Sequence, residues 1–345
     1  MDTSDRLQLI GAPGSPYTQK MLGLLRYRQI PYSVTWGMPQ VVLEQMGIAA
    51  PKMVFMPTFL FDDGGDSLTA RCDSTPIIRE LESRYSGRSV LPTDPALAFI
   101  DYLLEDFADE WATKYMFHYR WYPEDDADNA GTLLPLSSGS HIGDSDAAKF
   151  KTFFTERQIS RLSYVGSNNV TAPIIEASYH RLLKAMQAHL TEQPFLLGNR
   201  PAASDFALYG QLTQLVGFDP TPRRIAHELS PRTVGLVYML GDLSGLDVTG
   251  DDWKTLEEQP DSLRGLLVEC GRVYAPALLA NSAAVAAGEK EWETEIDGAR
   301  WIQQSFPYQA KCLQWIREAY DALSVSDRER VNQFIQGTGC ETLLL

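Results

Sequence analysis

The chain has 345 residues, of which 44% are hydrophobic and 22% charged, an ordinary globular balance that excludes wholesale disorder and suffices for about two domains. Its formal net charge of −15 disfavours nucleic acid and anionic membrane surfaces as general partners, although one local basic cluster can still bind a small anion. No run approaches the roughly 18 apolar residues of a membrane span. The opening Met1-Asp2-Thr3-Ser4-Asp5 has neither the basic nor the apolar segment of a secretory signal, so a cytoplasmic location is expected. Cys72, Cys270, Cys312 and Cys340 stand far apart with no C-x-x-C pair, and the five histidines show no ligand spacing. Reduced thiols and no metal are expected.

Residues 6–11 predict a buried strand, which Gly11, Pro13 and Gly14 break before a helix at 16–28. Pro16 suits the first turn of that helix, because its missing N–H has no partner there. Ser15 therefore sits among unpaired backbone N–H groups that, with the helix dipole, stabilise an anion. An N-cap is the ordinary use of a serine in this place. The β-rich stretch 30–36 completes a β-α-β unit with parallel strands, and a weaker helical segment covers 39–48. Residues 53–69 read as a hairpin with an acidic, Gly-rich turn. Pro57 is anomalous inside a strand: either Met53–Phe55 lies outside the sheet, or Pro57 opens an edge strand, with a cis bond one way to reach it. Helix 75–85 follows, with Ser74 as cap, and then a linker at 86–95 rich in turn residues.

Beyond the linker the pattern is helical. Residues 96–121 form a long aromatic-rich segment, and residues 122–146 are polar and acidic without periodicity, as in a lid, binding loop or disordered stretch. Helices are expected at 148–163, 174–193, 204–217 and 231–243, and in a last block at 260–287, 291–304, 307–323 and 326–336.

A β-α-β unit, a Pro-containing hairpin, a helix and then an all-helical region, in that order, resemble the cytosolic glutathione transferases. Gly14-Ser15-Pro16-Tyr17 resembles the S-P-[FY] motif of serine-type members, where Omega-type members carry cysteine. Met56-Pro57-Thr58-Phe59 resembles the [VM]-P-x-L segment, whose proline is cis in the family. Asp73-Ser74 resembles the pair that opens the third helix, and Gly198–Asp205 the G-x-x-x-[ST]-x-x-D motif of the helical domain. Ala202 stands where the family has a Ser or Thr cap, a loss of about 1 kcal/mol unless another group, such as Ser204, substitutes.

The resemblance implies an α/β thioredoxin-like domain at 1–88 and an all-α domain at 96–345, enlarged by an insertion at about 122–170 and an extension at about 250–345. It also implies glutathione as co-substrate, an apolar electrophile as second substrate, detoxifying conjugation chemistry, and a homodimer that the extension puts in question. Asp73 would pair with the γ-glutamyl amine and Ser74 would receive its carboxylate. The Met56 backbone before Pro57 would pair with the cysteinyl residue like an added strand. Lys52, Lys20 and Arg71 are open alternatives for the glycyl carboxylate. Ser15 would donate a hydrogen bond to the sulfur and lower a thiol pKa of about 8.5; Tyr17 is the alternative donor. Cys72 reads either as a small buried thiol or as a redox-sensitive one that glutathionylation caps.

The electrophile would lie against helix 96–121, where Trp111, Tyr115 and His118 recur at helical spacing as pocket wall or as core. The chain lacks the G-x-G-x-x-G of dinucleotide sites, the G-K-[ST] of P-loops and the G-x-S-x-G of serine hydrolases. Lyase or ether-cleaving chemistry would use the same thiolate. The alternative from another class is a non-catalytic glutathione-binding or interaction scaffold that keeps the fold. It would use apolar helical surface such as Leu278-Leu279-Ala280 and Trp315-Ile316 to bury a partner.

Overall fold

The computed structural model describes residues 6–65, 67–137, 139–248 and 253–345. A four-stranded sheet carries the N-terminal unit, built from β1 (Leu7–Gly11), α1 (Pro16–Tyr27), β2 (Tyr32–Trp36), α2 (Pro39–Met46), β3 (Thr58–Phe61), β4 (Thr69–Cys72) and α3 (Ser74–Arg84). The strand order is β2-β1-β3-β4, with β1 parallel to β2 and antiparallel to β3, the thioredoxin-like arrangement. Alternation along the strands divides the core. Leu7, Leu9, Phe59 and Phe61 join the main core with α1 and α3, while Ile10, Leu60 and Ala70 meet Val42 and Leu43 of α2 on the other face. The Met56–Pro57 bond is cis, and Met53–Phe55 lies outside the sheet, so β3 keeps a central position with its proline just before it. Asp73, with φ +85°, occupies the cap position of α3, one residue ahead of the expected Ser74.

The helical unit begins with α4 (Pro95–Phe107), a widened π turn at Ala108–Ala112, and α5 (Thr113–Trp121), one long wall. The stretch expected to lack structure instead forms α6 (Glu124–Ser137) and, with α7 (Asp144–Ile159), a helical pair; Ser138 between them lies outside the described residues. Polar residues concealed α6 because few of its positions are buried, among them Asp126, Ala127 and Ala130. Next come α8 (Ala172–His189), α9 (Ala203–Leu212), α10 (Pro220–Leu229), which has no counterpart in the expected elements, and α11 (Pro231–Leu240).

The extension adds α12 (Asp261–Glu269), a second π turn at Cys270–Tyr274, and α13 (Ala275–Ala287). Its expected helix at 291–304 is instead a hairpin of β5 (Glu291–Ile296) and β6 (Ala299–Gln304). Asp297 (φ +55°) and Gly298 (φ +73°) make its turn, and Trp292, Ile296, Trp301 and Gln303 point inward with a period of two. Finally, α14 (Pro307–Asp321) and α15 (Val325–Ile335) pack back onto α4. The apolar residues that suggested a partner surface face inward: Leu278 and Ile316 are buried, and Leu279, Ala280 and Trp315 are half-buried against the core. Among the described residues, no helix is long and apolar enough to cross a membrane.

One close approach sets α1 against the helical unit, and carboxylates fix the start of the helix it meets. Gly210 of α9 lies so close to α1 that a Cβ there would meet the Pro16 carbonyl oxygen at 2.4 Å. At the α9 N-terminus, Asp205 accepts from the Ala202 and Leu196 N–H groups, both at 2.9 Å. The Ser204 N–H donates to Asp101 Oδ1 of α4 at 3.0 Å. A carboxylate from a neighbouring helix thus does what the missing cap at Ala202 would have done, and Ser204 contributes its backbone rather than its hydroxyl as the cap.

Candidate active site

The first turn of α1 meets the N-terminus of α3 and the loop before β3 along one side of a cavity of about 1460 Å³. That exceeds the roughly 300–1,000 Å³ of a drug-sized pocket, so there is room for more than one ligand group. The other walls are the α4–α5 helix, the α6–α7 pair and α14 of the extension.

On the sheet side lie Ser15, Tyr17, Met56, Asp73 and Ser74. Ser15 Oγ accepts from the Thr18 N–H at 3.2 Å as a true N-cap, and among the described residues its own proton has no acceptor. The main chain of Met56 likewise makes no hydrogen bond with a described residue. Ser74 Oγ accepts from Lys20 Nζ at 3.0 Å, which leaves the hydroxyl proton free for a ligand. The Tyr17 hydroxyl instead donates to the Asp109 carbonyl oxygen at 2.7 Å. Burial, then Glu110 and Asp109, push its pKa well up, so Tyr17 is a protonated strut with its proton already engaged.

None of the three residues weighed for the glycyl carboxylate lines the cavity. Lys20 is sealed inside, ion-paired to Glu105 and Asp109; Arg71 is held by Asp63 and Glu80 with its guanidinium over Phe61; Lys52 is exposed on a loop. Cationic side chains that do face the cavity come from outside the N-terminal unit's loops, among them Arg120 and Arg161. Cys72 donates its thiol to the Met53 carbonyl at 3.0 Å, and burial pushes its pKa up, away from a reactive thiolate.

The long wall presents a different face from the one expected. Trp111, Tyr115 and His118 do share a face, but it looks away from the cavity. Trp111 Nε1 donates to Ser178 Oγ at 3.2 Å, the Tyr115 hydroxyl meets the same oxygen at 2.7 Å, and His118 Nδ1 contacts Ser167 Oγ at 2.8 Å. All three are fully buried, and burial lowers the pKa of His118. The cavity face carries Glu110, Thr113, Met116, Phe117 and Arg120. Periodicity identifies residues that share a face without saying which side that face looks toward.

Near Ser15 the cavity is apolar and aromatic, with Phe117, Trp121, Leu134 and Phe154. A Cβ on Gly14 would meet Leu134 Cδ2 at 2.2 Å, so α6 rests directly on the turn that holds Ser15. Arg120 braces the same turn from the wall, donating to the Gly14 carbonyl at 2.8 Å while its Nε bonds both Asp219 oxygens at 3.0 Å.

The wall helix is also acidic. Asp101, Glu105, Asp106, Asp109 and Glu110 all lie on the wall helix and all are buried. Burial raises Asp101 and Asp106 to about 7, Asp109 to about 6 and Glu110 to about 8. Burial acts on Glu105 as well, but Lys20 and Arg79 outweigh it and hold that carboxyl low. The π turn gives the helix further uses. Its Asp109 carbonyl accepts from the Tyr17 hydroxyl, and its Glu110 carbonyl accepts from Gln309 Nε2 of α14 at 3.2 Å. Gln309 and the rest of the extension could not be placed here from sequence, since nothing local signals which distant helix a polar residue will meet.

Residues 9–89 match the family model described as glutathione S-transferase, N-terminal domain, and residues 156–248 match glutathione S-transferase, C-terminal domain, together a little over half of the chain. Similar solved structures include a glutathione transferase family member from Pseudomonas fluorescens with two glutathione bound (17% identity over 77% of this chain and 94% of that one, TM-score 0.40). A glutathione transferase from Pseudomonas putida, with one glutathione disulfide bound per subunit, shares 15% identity over 77% and 93%, TM-score 0.41. The Tau class enzyme of mango, Mangifera indica, shares 16% over 69% and 89%, TM-score 0.38. No curated protein matches.

Proposed function

The chain belongs to the glutathione S-transferase family, and we propose that it binds glutathione in this cavity and activates the thiol for attack on an apolar electrophile. The observation that carries the reading is that three recognition groups line one wall with hydrogen-bonding capacity left for a ligand: the Ser15 hydroxyl, the Met56 main chain and the Asp73–Ser74 pair. Glutathione offers a thiol, a central peptide and an α-amino acid head in that same sequence.

The Asp73 carboxylate takes the α-ammonium, and Ser74 at the start of α3 takes the α-carboxylate. The Met56 main chain pairs with the cysteinyl unit as an added strand would. Ser15 then donates to the sulfur at the N-terminus of α1, where dipole and hydroxyl together favour the thiolate. The electrophile occupies the aromatic end, against Phe117 and Phe154, where water is displaced from the reacting pair. Ser15 acts as a donor to the ligand's sulfur; the nucleophile is the thiolate itself.

Calorimetric titration with reduced glutathione, on the wild type and on Asp73→Ala, tests the binding site: the variant should lose binding. Ser15→Ala should then keep glutathione affinity and lose turnover against a panel of apolar electrophiles. Unchanged turnover in Ser15→Ala would sink the catalytic assignment.

A further inference from the structure

Among the cavity-lining residues of the extension, one bonds directly to Asp73. The Tyr308 hydroxyl, at the start of α14, donates to Asp73 Oδ2 at 2.7 Å, 235 positions away in sequence. It lies outside both segments that match the family models. Its ring is clamped on three sides: edge-on to Phe55 from the N-terminal unit at 6.1 Å, edge-on to Trp315 at 5.8 Å, and tilted against Phe306 at 6.1 Å.

The backbone beneath it is fixed as firmly. Asn281 Nδ2 donates to the Phe306 carbonyl at 2.9 Å, and the Phe306 N–H returns to Asn281 Oδ1 at 2.8 Å. Gln309, the next residue along, ties α14 to Glu110 of the wall helix by bonds to its main-chain and side-chain oxygens. Tyr308 is therefore held in place independently of Asp73. Asp73 has the strained partner role: a non-glycine residue at φ +85°, only partly withdrawn from solvent, with a carboxylate that no described cation pairs with directly.

We propose that Tyr308 is a positioning residue for the ligand's α-amino acid head. By engaging Oδ2 it fixes the plane of the Asp73 carboxylate, leaving Oδ1 to accept from an α-ammonium. The inference rests on the reading of the cavity as a glutathione site and deepens it: the extension contributes to recognition, and the ligand class is a thiol bearing a free α-ammonium. A hydrogen bond to a charged group that is preorganised in this way costs the ligand less ordering when it binds.

The test compares two thiols on the folded full-length chain. One is reduced glutathione; the other is glutaryl-cysteinyl-glycine, which lacks only the α-ammonium. Tyr308→Phe removes one oxygen and keeps the ring in its aromatic clamp. Its Kd for glutathione should rise about tenfold, the size of a hydrogen bond to a charged group, while its Kd for the deaminated analogue stays put. In an Asp73→Asn background the same substitution should no longer change the ratio of the two affinities.

Equal weakening of both ligands means a merely structural role and overturns the proposal, as does no change in either. Tighter glutathione binding by Tyr308→Phe overturns it in the other direction, because the hydroxyl would then be a competitor for Asp73. A folded wild type that binds neither thiol overturns the glutathione reading itself, an outcome distinct from wild-type binding that Tyr308→Phe leaves unaltered.

Discussion

Lys20 Nζ lies 2.6 Å from Asp109 Oδ2 and 2.8 Å from Glu105 Oε1, so one ammonium from α1 serves two carboxylates of the wall helix, all three side chains almost wholly out of solvent. Burial alone would depress the Lys20 pKa, but the two carboxylates outweigh it and raise it. Lys20→Met would leave Asp109 without its cation and Glu105 with only Arg79, at 3.6 Å, a loss of about 3–5 kcal/mol by analogy with other broken buried pairs. Urea unfolding at neutral pH reads this directly. The deficit should shrink in mild acid, where the stranded carboxyls take up protons. A variant as stable as the wild type at both pH values would mean the pair contributes nothing net.

Arg120 makes a second, separate connection between wall and turn. Its Nε faces both Asp219 oxygens, Nη1 holds the Gly14 carbonyl and Nη2 donates to Gln214 Oε1 at 2.7 Å. Lysine carries the same charge but lacks the planar fork that serves three acceptors at once. Arg120→Lys should cost about 2 kcal/mol in denaturant unfolding and loosen the turn that carries Ser15. With a competent electrophile it should lower kcat more than it changes the affinity for glutathione. An effect confined to stability would show that the brace does not reach the chemistry.

Much of the N-terminal unit was legible because its signals are local. Apolar runs mark β1 and β3, Pro16 marks the start of α1, and the anomaly at Pro57 admits the reading the structure shows, with Met53–Phe55 outside the sheet. The same locality explains the failures. At 291–304 the helical expectation gave too little weight to the Asp297-Gly298 turn, although Trp292, Ile296 and Trp301 carry a two-residue period. On the wall helix, Trp111, Tyr115 and His118 share the one face that their spacing predicts, yet which neighbour that face meets depends on α8, brought there by the whole fold. Lys20 stands in the sequence as an open alternative for the glycyl carboxylate, because the two partners that seal it inside are more than 80 positions away. Tyr308 carries no local sign of its link to Asp73.

The buried carboxyls predict an unusual dependence of stability on pH. Asp101, Asp106 and Asp205 are raised to about 7 and Glu110 to about 8, chiefly by burial. In the unfolded chain such groups ionise near pH 4. Between these limits the folded state holds more protons, so each group lowers stability as pH rises. His118 and His189, both lowered by burial, act in the opposite sense below about pH 6.5, and Lys114, lowered to about 7, does so above that value. Glu110→Gln isolates one contribution. Its stability relative to wild type should climb between pH 5 and 8, by at most about 1.4 kcal/mol per pH unit. A difference that stays flat across that range would show that Glu110 ionises normally.

The two faces of the wall helix should separate cleanly in kinetics. Phe117 lines the cavity at its aromatic end, whereas Tyr115, two residues earlier, is buried against α8 with its hydroxyl on Ser178. Phe117→Ala removes apolar contact from the proposed electrophile position. It should raise KM for an apolar electrophile about tenfold, given the roughly 1.5–3 kcal/mol that burial of such a ring contributes, with glutathione affinity unchanged. Tyr115→Phe should leave both constants alone and lower stability by about 1 kcal/mol, one buried hydrogen bond. Steady-state kinetics with both substrates varied, together with urea unfolding of each variant, distinguishes the two. If Tyr115→Phe moves KM and Phe117→Ala does not, the electrophile lies on the face we assign to the core.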